Sequence, residues 1–171
     1  MKGQIIVLTG DGKGKTTSAL GMALKAAGSG QRVYIAQFIK AGDYSEIKAL
    51  KKPSDFITVE QFGLGGFFGR NPTLEDIQAA RNGLEKVAAV MSSGDYPVII
   101  LDEANVAIKY KLFSEQELLD IIAIKSDNLA VIITGRDAAP KIIESADQAI
   151  EFKAVKHYYK NGVKARVGID K

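Results

Sequence analysis

The stretch Thr9-Gly10-Asp11-Gly12-Lys13-Gly14-Lys15-Thr16-Thr17 constrains this chain more than any other, because an apolar run (4–9) leads into it and small and apolar residues (18–27) follow it. Glycines at alternate positions let the backbone curl so that successive N–H groups converge. The start of the following helix adds its positive end, and Lys15 supplies an ammonium on a flexible stem. An ordinary strand-to-helix turn needs one glycine and gains nothing from GKGKTT. The segment therefore predicts a polyphosphate cradle built from Gly10, Asp11, Gly12, Lys13, Gly14, Lys15, Thr16 and Thr17. Thr16 is placed to offer its hydroxyl to Mg2+, which takes oxygen ligands and few protein contacts. Against the spacing G-x-x-x-x-G-K-[ST], the first position is Thr9 and the glycine is displaced to Gly10, so the loop is a variant.

Such a loop belongs at the carboxyl edge of a parallel sheet. Strand-length apolar runs recur at residues 4–9, 32–38, 56–60, 98–101, 129–134 and 148–152, with helix-period segments between them at 16–27, 45–51, 74–91, 115–124 and 139–144. Thr73 with Asp76 three residues on, after Pro72, predicts a capping box. The pattern reads as α/β: one domain over residues 1–171, a doubly wound parallel sheet of the P-loop NTPase type with about six strands and helices on both faces. Composition narrows the chemistry. With Cys 0 and His157 as the single histidine, thiolate sites, iron–sulfur clusters and multi-histidine metal sites are excluded. The net charge of +3 is small for a nucleic-acid binder, and no apolar run of about 18 residues suggests a membrane span. No nucleic acid, no membrane and a cytoplasmic setting are the expectations.

The run Val98-Ile99-Ile100-Leu101 delivers Asp102 and Glu103 to the same sheet edge, in the manner of a Walker B strand, and either acid can serve Mg2+. Arg136, after Ile132-Ile133-Thr134-Gly135, reaches that edge too. It either neutralises phosphate charge or forms a surface salt bridge with Asp137 or a neighbour. Gln37 and Lys40 stand at the same edge with weaker claims.

Taken together, the glycine loop, Gln37-Phe38-Ile39-Lys40, Leu101-Asp102-Glu103, Thr134-Gly135-Arg136, Val155-Lys156-His157 and the closing residues 162–170 resemble the ATP:corrinoid adenosyltransferases, nearly end to end. The resemblance implies transfer of the 5′-deoxyadenosyl group of Mg-ATP to Co(I) of a corrinoid, either cobalamin or cobyrinic acid diamide, with release of triphosphate. It also implies a homodimer, a flavoprotein reductase as a possible partner, and an ATP pose that exposes C5′ instead of the γ-phosphate. Lys13, Lys15, Arg136 and Glu103 would then be catalytic, with Thr16, Glu103 and Asp102 around the metal. In that family aromatic side chains help displace the lower cobalt ligand, and Phe67 and Phe68, with Phe62 behind them, are the matching candidates in the glycine-rich stretch 62–70. Anchoring of a long loop onto the core is the other reading of these aromatics.

From Lys153 onward six basic residues (Lys153, Lys156, Lys160, Lys164, Arg166 and Lys171) face one acid, Asp170, and Asn161-Gly162 between alternating stretches predicts a C-terminal β-hairpin. Two rivals use the same loop: a small-molecule kinase or ATPase, with Asp102 or Glu103 orienting a hydroxyl or water, and an ATP-gated binding module. Product identity separates the first from adenosyl transfer, as ADP against triphosphate.

Overall fold

The computed structural model of the chain describes residues 2–42, 44–51, 55–65, 70–156, 166 and 168. Elements follow in the order β1 (Ile5–Thr9), α1 (Lys15–Gly28), β2 (Val33–Gln37), α2 (Ser45–Lys51), β3 (Ile57–Gln61), α3 (Leu74–Ser93), β4 (Val98–Asp102), α4 (Ala104–Lys109), α5 (Glu115–Ala123), β5 (Ala130–Thr134), α6 (Pro140–Glu144) and β6 (Gln148–Glu151). The strands form one sheet in the order β3-β2-β4-β5-β1-β6, and every pairing is parallel. The predicted hairpin, His157, Phe67 and Phe68 lie outside the described residues.

Strand residues alternate between two cores, as the period of two requires. Val98 and Ile100 of β4, Val33 and Ile35 of β2 and Ile132 of β5 pack with Ala19, Leu20 and Ala23 of α1 and Ile47 and Leu50 of α2. Ile99 and Leu101, with Tyr34, Ala36, Val131 and Ile133, face the other way onto Ala80, Leu84 and Val87 of α3 and Leu118 and Ile122 of α5. Helices therefore cover both faces. This alternation also decides where the polar strand ends point: Gln37, Asp102 and Thr134 each stand two residues beyond an α1-side residue, so all three emerge on the face of α1.

Helix α3 starts with the predicted capping box. Thr73 accepts from the Asp76 N–H at 3.3 Å, and Asp76 Oδ2 accepts from the Thr73 N–H at 2.7 Å. Arg70 adds two guanidinium contacts at 2.5 and 3.0 Å, which hold the Asp76 carboxyl down at about 2. A depressed acid stabilises the fold above its unfolded value near 3.8 and loses that contribution as pH falls toward 2. We expect Asp76→Asn to lower the melting temperature at pH 7, with the gap to the parent closing near pH 2. A gap independent of pH in thermal melts would contradict this assignment.

Candidate active site

Register brings the site together. Gln37 pairs with Asp102 across β2 and β4, Leu101 pairs with Ile133, and Leu8 pairs with Thr134, so the ends of β1, β2, β4 and β5 lie side by side. Asp102 is fully buried. Its Oδ1 accepts from Thr16 Oγ1 at 2.9 Å and from Thr134 Oγ1 at 2.8 Å, while Oδ2 accepts from Gln37 Nε2 at 2.9 Å and lies 3.3 Å from Lys40 Nζ. Thr134 also accepts from the Glu103 N–H at 2.9 Å, so one hydroxyl orients both acids. Burial pulls the Lys40 ammonium down, but Asp102 and Glu46 outweigh that and hold it charged.

Glu103 makes the turn from β4 into α4 with φ 59, a left-handed conformation that few side chains adopt without strain. Desolvation, and then the Asp102 charge, raise its carboxyl above the usual range against the opposing pull of Lys40, Lys15 and Arg136. A raised acid costs stability progressively as pH climbs from its unfolded value of 4.5 through its folded value. Glu103→Gln removes that cost, and we expect a higher melting temperature at neutral pH, a gain that disappears below about pH 4.5, together with loss of activity. Equal melting of the two proteins at pH 7 would contradict a desolvated Glu103 carboxylate.

The glycine loop wraps onto the end of β6. Gly12 N–H donates to Phe152 O at 2.6 Å, and Phe152 N–H donates to Thr9 O at 2.8 Å. A Cβ on Gly10 would stand 2.5 Å from the Phe152 carbonyl oxygen, and one on Gly12 2.8 Å from the Lys153 carbonyl carbon. These two glycines thus serve a close backbone approach as well as loop curvature, and the Gly12 N–H is directed at Phe152 in this structure. Gly14, with φ 111, opens α1. Lys15 is buried and bends back onto Gly10 O at 2.6 Å and Gly12 O at 2.7 Å. Desolvation and then the neighbouring Arg136 charge lower its pKa. Asp11, Lys13 and Thr17 are exposed around the loop.

Asp137 pairs with Lys109 at 2.5 Å, which disposes of the Arg136–Asp137 salt bridge allowed by the sequence. Arg136 is exposed, without an ion pair among the described residues, and close enough to Lys15 to lower its pKa. The turn that presents it is held from two sides. Thr9 Oγ1 accepts from the Ala138 N–H at 3.1 Å, which gives the residue at the displaced-glycine position a task of its own. Gly135, with φ 131, leaves no room for a Cβ, which would stand 2.9 Å from that of Asn105.

Phe62 is half-buried, its ring 6.2 Å from Phe38 and tight against Gly83, which supports the anchoring role of this first aromatic. Leu64 beyond it is exposed. Asn105 and Phe152 are site residues that composition and motif did not single out. Thr134 belongs to the block Thr134-Gly135-Arg136, in which only Arg136 carried a predicted role.

The donor set suits Mg2+. Thr16, Asp102 and Glu103 offer oxygen alone, and no group of three or more His, Cys, Asp or Glu side chains that could hold a metal occurs among the described residues.

The family described as ATP:corrinoid adenosyltransferase BtuR/CobO/CobP matches this sequence over residues 1–170. The chain belongs to that family. Among its relatives, the corrinoid adenosyltransferase of Pseudomonas aeruginosa is 32% identical over 170 residues, covering 99% of this chain and 84% of the relative. That of Escherichia coli K12 is 32% identical over 169 residues, covering 99% and 86%. In fold, this adenosyltransferase is similar to the KaiC-like protein PH0186 of Pyrococcus horikoshii, with a TM-score of 0.58, 15% identity and coverage of 89% of this chain and 72% of that one. Adenosyl transfer to a corrinoid is therefore the activity class, and the enzyme is a transferase. Among the described residues no helix is long and apolar enough to cross a membrane.

Proposed function

We propose that residues 1–171 act as one domain in which Co(I) of a bound corrinoid attacks C5′ of Mg-ATP in line and triphosphate leaves. Co(I) is a strong nucleophile with no proton to remove, so the reaction needs no general base. No histidine is required for it. What it does need is placement of C5′ against cobalt and stabilisation of charge on the departing triphosphate. The observation that carries this reading is the family match over residues 1–170 together with a sheet edge that brings the Lys15 loop, Thr16, buried Asp102 and half-buried Glu103 together.

In this reading Lys15 leaves the Gly10 and Gly12 carbonyls for phosphate oxygens, because an anion offers it a stronger, charge-assisted partner. Arg136, which has no ion pair among the described residues, takes charge from the leaving group, and Lys13 adds to it from the loop. Thr16, Asp102 and Glu103 would hold Mg2+, which when bound draws charge from the phosphate oxygens. Thr134 and Thr9 keep the acids and the Arg136 turn in place. Phe67 and Phe68 go with the corrinoid side of the site, with Phe62 anchoring the start of that stretch on Phe38, and a homodimer, a flavoprotein reductase and a cytoplasmic setting accompany the same reading.

The test is anaerobic mixing of the protein with chemically reduced cobalamin and Mg-ATP while corrinoid absorbance is followed. A light-sensitive adenosylated product is expected. Cobalt left unchanged, with ATP consumed, would favour the kinase or ATPase alternative.

A further inference from the structure

Arg136 sits in a turn whose backbone is costly on both sides. Gly135 before it has φ 131 and Asp137 after it has φ 55, so both neighbours occupy the left-handed region and only one of them is a glycine. Such conformations persist where the surroundings over-determine them. Here one short helix supplies most of the hold. Thr134 Oγ1 accepts from the N–H of Glu103, the residue that opens α4, at 2.9 Å; Gly135 O accepts from Asn105 Nδ2 at 3.4 Å; and Asp137 Oδ2 accepts from Lys109 Nζ at 2.5 Å. From β1, Leu8 O accepts from the Gly135 N–H at 3.2 Å and Thr9 Oγ1 from the Ala138 N–H at 3.1 Å. Of residues 134–138, Arg136 alone has no hydrogen bond or ion pair among the described residues, and it is exposed. Its two flanks are fastened while its side chain is left to a ligand.

Asn105 and Lys109 stand one turn apart on the same face of α4. Asn105 is buried, and its Oδ1 accepts no hydrogen bond. An apolar side chain there would avoid burying an unpaired acceptor, so what the amide contributes is its donor to Gly135. The Lys109–Asp137 pair is half-exposed, and a pair of that kind adds little to stability by itself. Both contacts act on the one turn that carries Arg136.

We propose that Asn105 and Lys109 are positioning residues, which fasten the Arg136 turn to the helix opened by Glu103 and so set the guanidinium where charge develops on the departing triphosphate. This rests on the reading of Arg136 as the cation for that leaving group. Placement of this kind acts in the transition state, so its loss falls on kcat rather than on KM.

The test is steady-state adenosylation of reduced cobalamin by variants made with and without Arg136. Asn105→Ala is expected to lower kcat by about tenfold and Lys109→Met by about threefold, with KM for Mg-ATP within about twofold of the parent. Asp137→Asn breaks the same ion pair with a residue that also tolerates left-handed backbone, and is expected to match Lys109→Met, whereas Lys109→Arg is expected to keep the parent kcat. In the slower Arg136→Ala protein, adding Asn105→Ala or Lys109→Met is expected to lower kcat by no more than about twofold, because nothing is left to position. Losses that multiply fully in that background would overturn the proposal and leave adenosyl transfer standing. Slowing by Lys109→Met but not by Asp137→Asn would also overturn it, by making the lysine charge itself the active group. An Arg136→Ala protein with the parent kcat would overturn the role of Arg136 and the proposal together, and a parent that adenosylates nothing would overturn the functional reading as a whole.

Discussion

Lys15→Ala is expected to lower kcat for adenosyl transfer by about 10²–10³-fold, the usual result of deleting one preorganised donor at a developing negative charge. The ammonium is buried at the mouth of α1, 2.6 and 2.7 Å from two loop carbonyls, and its pKa is lowered by desolvation and by Arg136. Both features mean that it is held in a poorly hydrated place, and in the proposed reaction it passes from these carbonyls to phosphate. Folding should survive, because the loop is also tied to β6 through Gly12 and Phe152. Stopped-flow corrinoid absorbance and a thermal melt on the same preparation check both halves. A variant with near-parent kcat would show that Lys15 is a structural clasp for the loop.

Asp102→Ala is expected to cost stability as heavily as activity. It strips the acceptor from two hydroxyls and a buried amide at once, and each buried donor left without a partner costs about 1–3 kcal/mol, while the Lys40 ammonium keeps Glu46 at 3.1 Å. Relief of repulsion on Glu103 offsets a small part of this. In a chain of this length the melting temperature should fall by roughly 10 °C. Asp102→Asn keeps an acceptor for Thr16 and Thr134 but loses the charge, so it should melt between the parent and the alanine variant while remaining as inactive. An alanine variant that melts with the parent would mean that the donors find other partners, and that the buried network does not hold this sheet edge together.

Much of this site could be read before any coordinates, and the reason lies in sequence distance. The cradle from Gly10 to Thr17 and the pair Asp102-Glu103 are contiguous, and each follows an apolar run whose length marks it as a strand. The capping box at Thr73 and Asp76 is local too. Gln37 and Thr134 could be placed at the sheet edge as polar ends of apolar runs, but they meet Asp102 only through the register of β2, β4 and β5, with 65 and 32 residues of separation, so no local pattern could show that contact. Helix α4 escaped notice because it starts directly from a strand through Glu103 in the left-handed region, with no glycine, proline or capping side chain to mark the break. The approach of Phe152 to the glycine loop is likewise a consequence of β6 pairing with β1. It gives Gly10 and Gly12 a packing reason that the phosphate motif alone does not contain. Among the described residues Asp137 pairs with Lys109 and not with Arg136, a pairing across 28 residues that no local pattern could show.

Identification of the phosphate product in a single anaerobic turnover tests the central claim most directly, with Co(I) cobalamin, Mg-ATP and this enzyme in one sample. One triphosphate for each adenosylated corrinoid is the expected result, since attack at C5′ breaks the bond between carbon and the α-phosphate oxygen. ADP, or phosphate released without a matching adenosylated corrinoid, would contradict it and return Asp102 and Glu103 to the orientation of a hydroxyl or water.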